Sequence, residues 1–175
     1  MSNAFKTYKL SELATILAGG DLPDSYSTEK TNLLKIPVYS NGEKENGLYG
    51  YTDIPKITEP AVTISARGSK VGFAAIRKEP FLPIVRLISL IPHREILDVN
   101  FLFYNLKQNR QIGTGSGQPQ ITIPDISNRT ISVPSLSTQQ KIASVLSALD
   151  NKIELNNKIN DNLFYRFSQF SPVRS

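Results

Sequence analysis

Along the last third of the chain, Ile142, Leu146, Leu149, Ile153, Asn156, Asn160, Leu163, Phe167 and Phe170 recur at alternating steps of four and three. That spacing is a heptad seam, apolar except for the two asparagines in its middle, and it predicts one long helix over residues 135–171. Pro134 closes the segment before it, and the spacing makes Ser137 a cap for the first turn with Gln140 three residues on, the pattern of a capping box. At about 1.5 Å per residue such a helix is roughly 50 Å long, more than a small domain needs to cover its own core. The excess predicts that a surface from outside the domain packs against it.

Upstream the pattern changes. Leu10, Leu13, Ala14 and Leu17 follow i, i+3, i+4, i+7 and predict a short amphipathic helix over 8–18, stopped by Gly19-Gly20. A polar, turn-rich loop follows over 21–35. Short runs rich in β-branched and aromatic residues, 36–39, 47–51, 61–66, 72–76 and 84–91, are separated by Gly, Pro or Asn and read as a sheet of irregular hairpins. Asp98 is placed to cap a helix over 99–111, a glycine-rich loop spans 113–117, and 121–123 and 129–133 are strand-like. The fold class is therefore α+β: a domain with a mixed, irregular β-sheet and short helices over 5–134, followed by a long C-terminal coiled-coil helix.

Composition narrows the chemistry. With 39% hydrophobic residues among 175 and a mean hydropathy of -0.22, the chain buries a core and is not of the disordered class. No apolar run reaches the eighteen or so residues needed to cross a bilayer, and the start lacks an apolar signal core, so the expected location is cytoplasmic with no membrane contact. The absence of cysteine excludes disulfides, thiolate catalysis and cysteine-ligated zinc, and a single histidine, His93, leaves too few soft ligands for an ordinary zinc site. No metal and no cofactor are expected.

Catalytic motifs are weak. Pro124-Asp125 with Asp150-Asn151-Lys152 matches a PD-(D/E)xK nuclease string, but Asp150 and Lys152 flank Leu149 at heptad positions where charges pair or face water. An Asn/Asp-Pro-Pro-aromatic loop, a GxxxxGK[ST] loop and a glycine elbow near His93 are all missing. Binding without catalysis is the better class of function. The net charge of +5 and pI near 9.4 permit a polyanionic partner. Between Arg67 and Arg94 lie six basic residues against one acid, Glu79. Arg67, Lys70 and Arg77 are the candidates for phosphate contacts; Tyr39, Asn41, Tyr49, Tyr51 and Gln118 are the candidates for base edges. The competing reading is plain: basic side chains scattered over alternating strand faces, with hairpin-turn residues and half-buried tyrosines between them.

Four stretches in order carry a family resemblance: Lys9-Leu10 through Gly19-Gly20-Asp21-Leu22-Pro23; Ile36-Pro37-Val38-Tyr39-Ser40-Asn41-Gly42 with Gly50-Tyr51-Thr52-Asp53; Thr63-Ile64-Ser65-Ala66-Arg67-Gly68-Ser69-Lys70-Val71-Gly72; and Gly117-Gln118-Pro119 to Asp150. Together they resemble the specificity (S) subunits of type I restriction-modification systems. Ser135 stands where a second proline is usual in that family, and Thr138-Gln139 where a glutamate more often precedes the glutamine. The resemblance implies a target recognition domain that reads double-stranded DNA. It also implies a spacer helix that pairs antiparallel with another, and catalysis that resides in modification (methyltransferase) and restriction partner subunits. Only one recognition unit is present, so the resemblance implies a half-subunit acting as a homodimer or a part of a longer subunit. The alternative is an assembly module in which the helix alone is functional and the domain reads no sequence.

The asparagines discriminate between registers. In an antiparallel pair whose facing positions sum to 316, Asn156 meets Asn160 of the other helix twice, Ile153 faces Leu163, Leu149 faces Phe167 and Leu146 faces Phe170. A slip of one heptad sets the amides against Ile153 and Leu149, and an unpaired buried amide costs about 1–3 kcal/mol. A parallel pair also satisfies them; the family resemblance favours the antiparallel one.

Overall fold

The computed structural model describes residues 5–110 and 119–170, with side chains as far as Tyr165. In chain order the elements are β1 (Lys6–Lys9), the single-turn helix α1 (Leu10–Leu13), β2 (Ala14–Ala18), β3 (Ile36–Tyr39), β4 (Leu48–Thr52), β5 (Ala61–Ile64), β6 (Ala74–Arg77), β7 (Leu82–Pro83), β8 (Ile88–Pro92), α2 (Val99–Gln108), α3 (Ile123–Ser127), β9 (Thr130–Val133) and α4 (Leu136–Phe170). The class is α+β, with three separate sheets and a long terminal helix. A four-stranded antiparallel sheet runs β2-β8-β5-β6, a second sheet runs β4-β3-β7, and β1 pairs antiparallel with β9.

The β1–β9 ribbon sews the start of the chain to the strand that leads into α4, with Lys6 opposite Val133 and Lys9 opposite Thr130. Leu10 N–H then donates to Arg129 C=O at 2.8 Å, extending the seam by one bond. The main core lies between the four-stranded sheet and α1, α2, α3 and the start of α4. Leu10, Leu13, Val62, Leu90, Leu97, Leu102 and Ile126 are fully buried there.

Three elements differ from the sequence pattern. Residues 8–18 form one helical turn and then a strand, because the open edge of β8 offers Ala14–Ala18 a five-residue ladder that a continued helix would forgo. Thr15 and Ile16 are β-branched and suit that ladder, and Leu10, Leu13 and Ala14 remain buried in either geometry. Gly19-Gly20 consequently does not end a helix. A Cβ on Gly19 would lie 2.8 Å from the carbonyl oxygen of Ile84, so the glycine is there to let two backbones touch. The segment read as strand 121–123 instead opens α3: Thr122 N–H donates to the Asp125 carboxylate at 2.7 Å, and Asp125 N–H returns a bond to Thr122 Oγ1 at 3.4 Å. The Thr122 hydroxyl also donates to the Asp125 carboxylate, at 2.7 Å, and that bond together with the one from Thr122 N–H holds the carboxyl below the usual carboxylate range and gives it a structural task.

The long helix starts two residues earlier than the Ser137 cap predicts. Leu136 is its first residue, and Ser135 is the cap, accepting from Thr138 N–H on both its carbonyl, at 2.9 Å, and its hydroxyl, at 3.4 Å. A proline at position 135 would have no hydroxyl to offer the first turn. Next to it, Gln139 is 1% exposed and uses its whole amide. Its Nε2 donates to Ile96 C=O at 2.9 Å and to Pro134 C=O at 3.0 Å, and its Oε1 accepts from Asp98 N–H at 3.0 Å. One side chain thus joins α4, the segment leading into it and the start of α2. Lys107 of α2 reaches Asp150 at 3.0 Å farther along, which accounts for the second carboxylate of the nuclease-like string. Replacing Gln139 by Ala strands one N–H and two carbonyls without a partner. Gln139→Ala is expected to lower the free energy of unfolding by about 2–4 kcal/mol in urea titration.

Candidate nucleic-acid interface

Three connections gather at one end of the sheets: residues 40–47 between β3 and β4, 65–73 between β5 and β6, and 84–87 between β7 and β8. A single side chain ties them together. Asn41 Nδ2 donates to Val85 C=O at 2.6 Å, and its Oδ1 accepts from Ala66 N–H at 2.7 Å. Beside it Gly42 N–H donates to Ser65 Oγ at 3.2 Å. The 65–73 loop is closed at its neck by Ser65 N–H to Phe73 C=O, 2.9 Å, and Gly72 N–H to Ser65 C=O, 2.8 Å. The residues beyond that neck, Arg67 to Lys70, are all exposed.

Around this knot stand the predicted residues, in different roles. Arg67 projects freely and, with Arg86, Gln120 and Thr122, lines a cavity of about 420 Å³. Lys70 is exposed and forms an ion pair with Glu43 of the neighbouring loop. The lysine's hydrogen bond and charge hold the Glu43 carboxyl below its ordinary range, helped by Arg110. Tyr49 is half-exposed and stacks on Tyr26, ring centroids 5.6 Å apart, while Tyr26 Oη donates to Tyr49 C=O at 2.8 Å. Tyr51 is half-buried, and its backbone exchanges both bonds with Ser27. Gln118 lies outside the described residues.

Arg77 and Tyr39 stand apart from this group. Arg77 is 5% exposed, its guanidinium carbon 3.5 Å from the centroid of the Tyr39 ring. Its Nε donates to Thr63 Oγ1 at 3.1 Å and an Nη to Asn46 C=O at 2.5 Å. Burial without an acidic partner among the described residues pulls its pKa down to about 10, which leaves it charged at neutral pH. The expectation of a phosphate-contacting Arg77 meets a guanidinium already engaged inside the protein, where it braces the 40–47 turn; Tyr39 is the platform beneath it, packed edge-on against Phe81. Arg77, the last residue of β6, is buried and Lys78, just past the strand, is exposed, a distinction that a count of basic residues does not make.

Two features of the interface lie outside the sequence prediction. Arg86 belongs to the basic run but was read as part of a continuous strand over 84–91; the chain instead turns there, with Val85 at φ 51° and Arg86 at φ 58°. No glycine or asparagine marks the turn, so no residue-type signal announces it. Gln120 reaches the Arg67–Arg86 cavity because Ile121 N–H donates to Ala66 C=O at 2.9 Å, a contact between segments far apart in sequence.

The second candidate surface is α4. Ile142 and Leu146 are half-buried against the domain, but every described side chain from 151 to 165 is exposed. Leu149, Ile153 and Leu163 of the seam are 53%, 58% and 48% exposed, an apolar row with Asn156 and Asn160 in the same phase. Leu155, Ile159 and Phe164 add apolar surface beside it, which the heptad pattern alone does not count. The side chain of Phe167 lies outside the described residues. Among the described residues no helix is long and apolar enough to cross a membrane, and no group of three His, Asp or Glu is placed to hold a metal ion.

A mixed α+β domain with a loop cluster rich in Arg, Tyr and Asn at one end, and a helix running out beyond its own core, defines the class. Residues 3–164 match the family described as type I restriction modification DNA specificity domain, and the chain belongs to that family. Two type I specificity subunits of Mycoplasma pneumoniae are similar in sequence. One is 38% identical over 146 residues, covering 83% of this chain and 40% of the relative; the other is 37% identical over 145 residues, covering 82% and 43%. The crystal structure of the type I restriction-modification S subunit from M. genitalium superposes with a TM-score of 0.69 at 21% identity, over 92% of this chain and 45% of that one, a likeness of fold. The chain thus spans less than half the length of these proteins.

The two arginines separate in a stability measurement. Arg77→Ala removes a stacked, doubly bonded interior group and is expected to cost about 2–4 kcal/mol in urea unfolding, whereas Arg67→Ala stays within about 0.5 kcal/mol of the parent.

Proposed function

We propose that this chain is one non-catalytic, sequence-specific DNA-reading unit of a type I specificity subunit, which directs methylation, and through it cleavage, by separate modification and restriction subunits. The observation that carries the reading is the Asn41 knot: in a member of this family, it collects Arg67, Lys70, Arg86 and Tyr49 onto one exposed cluster. Arginine and lysine there suit phosphate oxygens and guanine edges, Gln120 suits an adenine edge and Tyr49 the sugar-phosphate backbone, while Asn41, a base-edge candidate by residue type, has both ends of its amide taken up in holding the loops. Lys70 is held by Glu43 in the free protein, an ion pair that a phosphate displaces at little cost because both groups are half-exposed. Tyr51 and Gln118 are proposed as further base contacts on their residue type alone. The division of labour is a reading domain over 5–134 and a spacer helix over 135–171.

The exposed seam of α4 is the place for a second helix, and a second copy of this chain supplies one. The antiparallel register that sets Asn156 against Asn160 satisfies both amides and covers Leu149, Ile153 and Leu163. The helix is then a ruler between two reading domains, and its length sets the distance between two half-sites.

Three experiments test these claims. The chain is co-expressed with a modification subunit and methylated sites are mapped; a palindromic split site is expected. In binding to duplex DNA, Arg67→Ala is expected to weaken affinity about equally for all sequences and to reduce the salt slope by about 1 if Arg67 holds a phosphate. No change in DNA binding after joint replacement of Arg67, Lys70 and Arg86 rejects this face. Because the chain has no cysteine, introduced thiols report the register without background. Chains carrying Asn156→Cys mixed with chains carrying Asn160→Cys are expected to form a disulfide-linked heterodimer, while Asn156→Cys alone crosslinks to itself only in a parallel pair.

A further inference from the structure

The 84–87 turn holds a residue in a place that its chemistry disfavours. Leu87 N–H donates to Ile84 C=O at 3.0 Å, and both central residues, Val85 at φ 51° and Arg86 at φ 58°, are left-handed. Positive φ at both centres is a type I′ turn, whose usual occupants are asparagine, aspartate and glycine. A β-branched side chain there is strained, and such strain persists only where surrounding contacts over-determine the backbone.

Those contacts are present. Val85 N–H donates to Gly20 C=O at 2.8 Å and Val85 C=O accepts from Asn41 Nδ2 at 2.6 Å, so both backbone polar groups are held by different segments. Gly19 passes against Ile84 too closely for any Cβ, and its N–H donates to Leu87 C=O at 2.8 Å. The valine side chain is 52% exposed, so burial offsets the strain only in part. The outcome is a rigid, branched, apolar group held at the loop cluster. Its sequence neighbour Arg86 shares a cavity with Arg67.

We propose that Val85 is a specificity-determining residue that presents its isopropyl group to the C5-methyl of a thymine in the major groove, between phosphate or base contacts made by Arg67 and Arg86. The inference rests on the DNA-reading function proposed above. The thymine methyl is the one apolar feature on a major-groove base edge, and reading it takes an apolar group fixed in position. An asparagine at position 85 would relax the turn and lose that contact, which separates the two effects experimentally.

The test uses the complex with its modification subunit and two pools of random-sequence duplex, one amplified with thymidine triphosphate and the other with deoxyuridine triphosphate, which lacks the C5-methyl. The parent is expected to select a consensus containing a thymine in the first pool, with preference at that position falling roughly tenfold in the second. Val85→Asn is expected to melt at a higher temperature and to lose preference at that same position in both pools, the other positions being unchanged. A parental consensus identical in the two pools, or a Val85→Asn variant with parental preference, overturns the inference while leaving DNA reading intact. A lower melting temperature for Val85→Asn overturns the strained turn on which it stands. A parent that selects no consensus from either pool overturns DNA reading itself, and the role of Val85 with it.

Discussion

The geometry of this protein depends on one buried amide. Gln139 is held by Asp98 N–H, Ile96 C=O and Pro134 C=O, so the first turn of α4 is bonded to the segment before it and to the start of α2. A helix that runs out beyond its own domain keeps a defined direction only if its first turn is fixed to that domain. Apolar packing of Ala143, Ile142 and Leu146 against the domain supplies adhesion, but adhesion alone tolerates sliding; three directional bonds on one side chain do not. The β1–β9 ribbon adds a second constraint from the other side, because the strand that feeds α4 is paired along its length with the start of the chain.

The same device recurs at the loop cluster. Asn41 does for three loops what Gln139 does for the helix, using both ends of an amide to join backbones that lie far apart in sequence. Arg77 works from below, its buried charge stabilised by an aromatic face, a hydroxyl and the Asn46 carbonyl. Asn41 and Arg77 look, in a list of residues, like contacts for DNA. In the folded chain they build the platform, and the exposed Arg67, Lys70, Arg86 and Tyr49 are what the platform presents. Loops tied together in this way start from a fixed arrangement, whereas a loop that must reorder on binding gives up affinity to conformational entropy.

What was legible in the sequence follows from locality. The α4 helix, the Asp98 cap on α2, the 36–39 and 61–66 strand regions and the 21–35 loop are signalled by periodicity, caps and turn residues within a few positions of one another. The family was legible too, through an ordered set of short motifs. The 8–18 segment was misread as helix because the deciding partner, β8, lies seventy or more residues away; a local helical period lost to a ladder it could not foresee. The Thr122–Asp125 capping box was readable in principle, and the strand-like Ile121 and Ile123 on either side of Thr122 obscured it.

The amino-acid sequence by itself determined the α+β class, the long helix with its seam and two asparagines, the lack of thiol chemistry and the excess of positive charge between Arg67 and Arg94. Those are properties of composition and short-range spacing. Only the tertiary structure decided which polar residues are scaffold and which are surface. Arg67 and Arg77 are the same residue type ten positions apart; one is exposed on a loop and the other is sealed between Tyr39 and Thr63. The side on which a strand residue falls, and which distant backbone a loop amide meets, depend on register and packing across the whole domain, and that information is not carried by any one segment.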